Sequence, residues 1–324
     1  MEKKKIIAVV GATGAQGGGL VLSILNDGSK EFEARGISRD ITSPMARELS
    51  KLGAQMVQAD LNDKSSLVTA FKGVYGAYCV TNFWEHFSPE KEMAQAKNMA
   101  EAAKEAGVQH VIWSTLEDTR KWIPLSDKRM PTLMDNYKVP HFDAKGASNL
   151  YFKNSGVPYT FLLTSFYWEN FINFGMGPKK DKNGNLSIAL PMGNKRLPSI
   201  AVDDIGKCAY GIFKAGKKHQ GKTIGICGGQ PTVKEMAESF SEIFGTDIGY
   251  YDVPIETYRK FDFPGADDLG NMFQFNQEFE TDFCKARDLK LSKELNSELL
   301  SFEAWLRKYK NSLEPSIRGE AATA

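Results

Sequence analysis

Residues Ile6–Leu20 read IIAVVGATGAQGGGL. An unbroken apolar, largely β-branched run such as Ile6–Val10 suits a strand buried on both faces of a parallel sheet. Glycines follow at once. Gly11, Gly14 and Gly17 stand in a G-x-x-G-x-x-G frame, where missing β-carbons permit positive φ and let backbone N–H groups approach an anion. A helix starting near Ala15 then points its positive end at that anion. Strand, glycine turn and helix together predict the first unit of a nucleotide-binding sheet.

Alternation continues outward from there. FEARGIS, AQMVQAD, YGAYCV, QHVIWS and YTFLL read as strands two to six, and helix-like segments ending at glycines separate the first five. Two helices open with Ser43-Pro44 and Ser88-Pro89, an N-cap hydroxyl followed by a proline in the first turn. The expected fold class is therefore α/β, a Rossmann doubly wound parallel sheet with a smaller C-terminal α+β subdomain. The expected division is a nucleotide-binding domain over 1–165, with return segments near 198–228. A lid or partner subdomain takes 166–197 and 229–313, and a disordered tail takes 314–324. A hairpin turning at Asn183-Gly184, a helix over AVDDIGKCAYGIFK, a strand at KTIGICG and a helix capped by Thr232 complete the reading. Phe261, Phe263, Phe273, Phe275, Phe279 and Phe283 are expected mainly to fill a satellite core.

Composition narrows the function. Forty-one basic and forty acidic residues leave a net charge of +1, so no global field favours nucleic acid or an anionic membrane. The apolar run after Met1 ends at the glycine turn, too short for a signal peptide or a membrane span. Four scattered cysteines without C-x-x-C spacing point to reduced thiols and a cytoplasmic setting, extending to the nucleus in a eukaryote. The four histidines lack ligand spacing, and no metal is expected.

The strand ends carry the site. Strand two ends at Arg39, where an NADP site offers a guanidinium to the 2′-phosphate; Ser43 follows, and Asp40 could repel that phosphate or bond the ribose. Asp60 and Leu61 end strand three beside the expected adenine. Thr81, Asn82 and Phe83 end strand four, where they would line the pyrophosphate and nicotinamide ribose.

GATGAQGGG, VTNFWE, HFDAKG, SFYWENF and FPGADDLGNMFQF together resemble the NmrA-like family, an atypical branch of the short-chain dehydrogenase/reductase superfamily. The resemblance runs to about Lys310. It implies NADP(H) bound by Gly11, Ala12, Thr13, Gly14, Ala15, Gln16 and Gly17 of the turn, and by Arg39, Asp40 and Ser43. It extends to Asp60, Leu61, Thr81, Asn82, Phe83, Lys145, Tyr167, Trp168, Glu169 and Asn170. Ala94 stands where some relatives carry lysine. The wider superfamily catalyses with Tyr-x-x-x-Lys. Here Lys145 is present and His141 takes the tyrosine's place, so both are candidate catalytic residues. Ser114 or Thr115 occupies the place of the polar assistant, and Tyr137 and Tyr167 are candidate substitute phenols.

Two functions follow from the resemblance. The favoured one is a redox sensor and regulator, acting through cofactor-dependent contacts with a regulatory protein or a second copy of the chain. Its expected switch is the loop Ser114–Pro140. The alternative is an NADPH-dependent reductase of a small carbonyl or unsaturated substrate. Neither involves direct nucleic-acid or membrane contact.

Overall fold

The structure, a computed structural model, describes residues 4–181 and 183–318. Strands β1 (Lys5–Val10), β2 (Phe32–Ser38), β3 (Gln55–Gln58), β4 (Gly76–Cys79), β5 (His110–Thr115) and β6 (Tyr159–Leu163) are all parallel. Thr223–Gly225 adds a seventh strand at the β6 edge. The order from that edge is Thr223–Gly225, β6, β5, β4, β1, β2, β3. The direction in which successive strands are added therefore reverses between β1 and β4, which opens a crevice at their carboxyl ends.

Helices α1 (Ala15–Asn26), α2 (Pro44–Lys51), α3 (Lys64–Phe71), α4 (Pro89–Glu105) and α5 (Pro140–Ser155) connect these strands. The side chains of Ser43, Asp63 and Ser88 accept backbone N–H bonds at the starts of α2, α3 and α4. One face of the sheet packs Leu20, Val21 and Ile24 of α1 against Ile205, Cys208 and Ile212 of the helix Val202–Lys214. The other face packs Leu67, Phe71, Met99 and Phe152 around Trp113. A β-carbon on Gly206 would lie 2.2 Å from Leu20 N, so α1 and its partner helix meet backbone to backbone. Close helix crossing thus uses glycine too: a β-carbon on Gly19 would stand 3.0 Å from Asp203 O.

The C-terminal part has its own core. Trp168, Phe171, Phe240, Phe273, Phe275, Phe302 and Trp305 are all buried there. Lys179–Lys180 pairs antiparallel with Leu186–Leu190 around the expected Asn183-Gly184 turn, and Ile248–Asp252 adds in parallel. Thr232 and Glu235 form a capping box on the helix Val233–Phe244. Phe273, Phe275 and Phe283 fill this core as expected, whereas Phe261 and Phe263 stay partly exposed, at 39% and 38%, beside Tyr258.

The expected disordered tail needs correcting over its first part. Residues Lys310–Arg318 are helical, because Leu313 is buried in the C-terminal core and Ile317 packs against it. Residues 319–324 lie outside the described residues. Cys79, Cys208, Cys227 and Cys284 are all free thiols. Among the described residues no acidic, histidine and cysteine cluster could hold a metal, and no helix is long and apolar enough to cross a membrane.

Candidate cofactor site

Gly11 takes φ +63° at the end of β1, and its carbonyl accepts the Gly14 N–H at 2.8 Å. Ala12 N–H reaches Ile37 O, tying the turn to β2. A β-carbon on Gly17 would lie 2.3 Å from Gly11 O, so the turn closes only over glycine at that position. Gly14 is less constrained. Its φ is −98°, and an added β-carbon would stand 3.3 Å from the same oxygen, a tight contact that a shift of a few tenths of an ångström relieves. No side chain caps α1, in contrast to α2, α3 and α4. An uncapped first turn beneath such a loop leaves backbone donors for an anion.

Arg39 directly follows β2, with its side chain 62% exposed and paired with Glu85. It borders a groove of about 380 Å³ together with Gln58, Ala59, Asp60, Asp63 and Ser66. Asp40 turns its carboxylate into a local turn, accepting Thr42 N at 2.7 Å and Thr42 Oγ1 at 2.6 Å. Those bonds hold its pKa below the usual carboxylate value. Ser43 is engaged as the α2 cap. Asp60 accepts from Asn62 N and Nδ2, while Leu61 O accepts from Asn98.

At the end of β4, Lys145 Nζ donates to Thr81 O at 3.1 Å and Thr81 Oγ1 at 2.7 Å, and it forms an ion pair with Glu92 Oε1 at 2.6 Å. Asn82 is exposed beside them, and Phe83 is buried against Trp84, Phe87 and His141. One helical turn before Lys145, His141 Nδ1 lies 2.7 Å from Asp268 Oδ1. The His141 N–H also donates to Asp268 Oδ2 at 3.1 Å. Asp268 belongs to the C-terminal helix Ala266–Glu278, so the two parts of the chain meet at this imidazole. A carboxylate on Nδ1 selects the tautomer that presents the Nε2 lone pair, or Nε2–H once the ring is charged. Among the described residues Nε2 has no hydrogen-bond partner.

Several expected contacts are spent inside the protein. The Gln16 amide forms a floor, accepting from Tyr78 OH and from Ser114 Oγ at 2.7 Å and donating to Tyr167 OH. Burial raises the pKa of both Tyr78 and Tyr167, keeping these phenols protonated. Trp168 is fully buried in the C-terminal core, with its indole N–H on Ser199. Glu169 accepts from Val202 N and Trp305 Nε1 at the start of the helix Val202–Lys214. The side chains of Trp168 and Glu169 therefore serve packing, and Asn170 opens the short helix Asn170–Asn173 beside them. Tyr137 OH donates to Glu90 at the start of α4, and Thr115 Oγ1 reaches Asn149 and Lys145 O on α5. Three members of these networks escape motif reading: Tyr78, Glu92 and Asp268. For Tyr78 and Glu92 the available signal is a polar group in an otherwise apolar central strand, YGAYCV, and an acid on the inward face of α4.

The glycine turn, the uncapped α1 and the polar strand ends define a Rossmann protein of dinucleotide-binding architecture. The chain belongs to the NmrA-like family, whose family model matches residues 3–306. It is 28% identical over 325 residues to the NmrA-like family domain-containing oxidoreductase ptmS of Penicillium ochrochloron, covering 91% of each chain. It is 31% identical over 278 residues to the corresponding oxidoreductase malD of Malbranchea aurantiaca, covering 78% of this chain and 79% of that one. Among solved structures it resembles NmrA, a negative transcriptional regulator, in complex with NADP, with TM-score 0.78 and 23% identity over 100% of this chain and 99% of that one. The Citrobacter sp. triphenylmethane reductase complexed with NADP(H) superposes with TM-score 0.73 and 19% identity, over 96% and 99% of the two chains.

Proposed function

We propose that the protein binds NADP(H) at the carboxyl edge of its sheet and works as an NADPH-dependent reductase of a small carbonyl or unsaturated substrate. The described residues fit the cofactor: Gly11 to Gly17 and the first turn of α1 would meet the pyrophosphate, Arg39 the 2′-phosphate and Lys145 the nicotinamide ribose. When bound, that cofactor supplies a hydride. The observation that carries the reductase reading is the His141–Asp268 pair. An imidazole oriented by a buried carboxylate, one turn from Lys145, fills the place of the superfamily's tyrosine and can supply the accompanying proton. The names of ptmS and malD as oxidoreductases agree with it.

The regulator reading keeps one observation of its own. Arg39 pairs with Glu85 in the segment Phe83–Phe87, whose Trp84 ring lies 4.7 Å from His141 and against Gly265 of the C-terminal part. A phosphate at Arg39 would therefore act on a segment that touches both parts of the chain.

The discriminating experiment is NADPH consumption across a panel of carbonyl and enone substrates. The parent is expected to turn over at least one of them. His141→Phe should lower that turnover roughly 100-fold or more with NADPH affinity nearly unchanged. A parent that binds NADPH yet consumes none with any substrate, while cofactor addition protects backbone amides from exchange, would favour the regulator.

A further inference from the structure

Lys145 sits in a nearly closed site, with its side chain 12% exposed. An ammonium carries three protons; two are donated here, to Thr81 O and Thr81 Oγ1, and Glu92 Oε1 is paired with the charge at 2.6 Å. Glu92 is fully buried in the first turn of α4, where the helix N-terminus favours a negative charge. The Thr81 hydroxyl also donates to Glu92 Oε1, closing a triangle of ammonium, hydroxyl and carboxylate.

The other carboxylate oxygen is unusual. Glu92 Oε2 and His86 Nε2 are both buried without a hydrogen-bond partner, and they face each other 3.6 Å apart. His86 Nδ1 accepts the Ser88 N–H at 3.1 Å, so the neutral ring carries its proton on Nε2, aimed at Glu92. Burial lowers the His86 pKa, which favours that neutral ring. Lys91 and Glu85 are the other charged groups that act on it. Glu92 thus has no route to solvent. Its partners are the ammonium, the Thr81 hydroxyl and a histidine donor held just beyond bonding distance.

We propose that Glu92 is the positioning residue of the cofactor lysine, fixing the Lys145 ammonium at the end of β4, with His86 N–H as the donor waiting on its second oxygen. This rests on the reading that Lys145 meets the nicotinamide ribose. A ribose hydroxyl entering the lysine's shell would take up the ammonium proton not donated to Thr81. The buried carboxylate keeps the ammonium centred while that hydroxyl enters. Glu92 acts through Lys145 alone and touches no part of the cofactor itself.

The test is calorimetric binding of two probes, NADPH and adenosine 2′,5′-bisphosphate, which lacks the nicotinamide riboside. Lys145→Met and Glu92→Gln should each weaken NADPH roughly tenfold or more, as for loss of a charged hydrogen bond, and leave the bisphosphate within about twofold. Glu92→Asp should recover part of the NADPH affinity. Glu92→Gln added to Lys145→Met should cost nothing further. A merely structural role would weaken both probes together, and that result overturns the proposal, as does a Glu92→Gln protein that binds NADPH like the parent. If Glu92→Gln does not fold, the double variant Glu92→Met with Lys145→Met, which buries no charge, must match Lys145→Met alone; a weaker double variant refutes it. Undiminished NADPH affinity in Lys145→Met instead removes the underlying assignment of Lys145. Failure of the parent to bind either probe removes the cofactor reading.

Discussion

Replacing Arg39 by alanine should separate NADPH from NADH. A guanidinium bond to the 2′-phosphate contributes about 1.5–3 kcal/mol, as for hydrogen bonds to charged groups. Arg39 is not idle beforehand. It is paired with Glu85, whose side chain is 42% exposed, and an ion pair in that setting contributes at most about 1 kcal/mol. The phosphate has to replace this partner, so the net loss in Arg39→Ala is about 0.5–3 kcal/mol, or about 2- to 150-fold in NADPH affinity. NADH has no 2′-phosphate and should change by less than about twofold. The same reasoning gives Glu85→Gln the opposite sign: with its competitor gone, Arg39 should bind NADPH up to about fivefold more tightly. Calorimetric titrations of both cofactors at low and high salt would measure this, and the NADPH effects should shrink as salt screens the exposed pair. Equal losses for NADPH and NADH in Arg39→Ala, or weaker NADPH binding in Glu85→Gln, would refute the argument.

Two further outcomes follow from the same geometry. Gly17→Ala forces a β-carbon to within 2.3 Å of Gly11 O, and overpacking of this kind costs about 1–3 kcal/mol, so its thermal midpoint should fall by several degrees. Gly14→Ala should melt like the parent, and equal midpoints for the two variants would contradict the turn geometry. His110 is fully buried, and burial lowers its pKa from 6.5 to about 4. Between those values the unfolded chain holds the extra proton, so stability falls as pH drops, by about 2 kcal/mol from pH 7 to pH 5. Denaturant titrations should show this loss reduced in His110→Gln, and an unchanged acid dependence would exclude His110 as its source.

Much of the sheet is legible because each strand announces itself locally. FEARGIS and YTFLL are β2 and β6 end to end, and both Ser-Pro pairs start helices where a hydroxyl cap and a proline leave little choice. The carboxyl ends of β1 to β4 lie along one edge of the sheet, because these strands are adjacent and parallel. Spacing does not reveal which polar side chains are consumed within the protein. Gln16 reads as a ligand contact from its motif, yet its amide is bonded to Tyr78, 62 residues away, and to Tyr167, 151 away. Trp168 and Glu169 read as a cofactor segment, yet tilted ring contacts with Phe302 and Trp305 and the Trp305 indole N–H draw their side chains into the C-terminal core. His141 is the converse case. Its sequence neighbours leave it ambiguous, and only Asp268, 127 residues on, gives its ring a direction.

The segment Ser114–Pro140 bears on how the two functional readings differ. Without a helical stripe it reads as a natural switch, but its polar groups are closely held. The buried Lys138 Nζ donates to Asp127 O, Met130 O and Thr132 Oγ1. Asp143 accepts from Thr119 N and Oγ1 and from the N–H groups of Lys138 and Val139. Asn271 Nδ2 bonds Pro131 O and Lys138 O, and Arg287 pairs with Glu117. Releasing this segment would strand several buried charges at once, which costs far more than a single cofactor contact returns. Movement linked to the cofactor has a cheaper place in Phe83–Phe87. There the polar side-chain ties are an exposed ion pair from Glu85 to Arg39 and the His86 ring beside Glu92 and Ser88, and Phe87 already holds a left-handed φ of +52°. The same five residues shield His141 through Trp84 and Phe83. A reductase needs that shield to admit a substrate, and a regulator needs it to report an occupied Arg39, so both functions place their moving part at the end of β4.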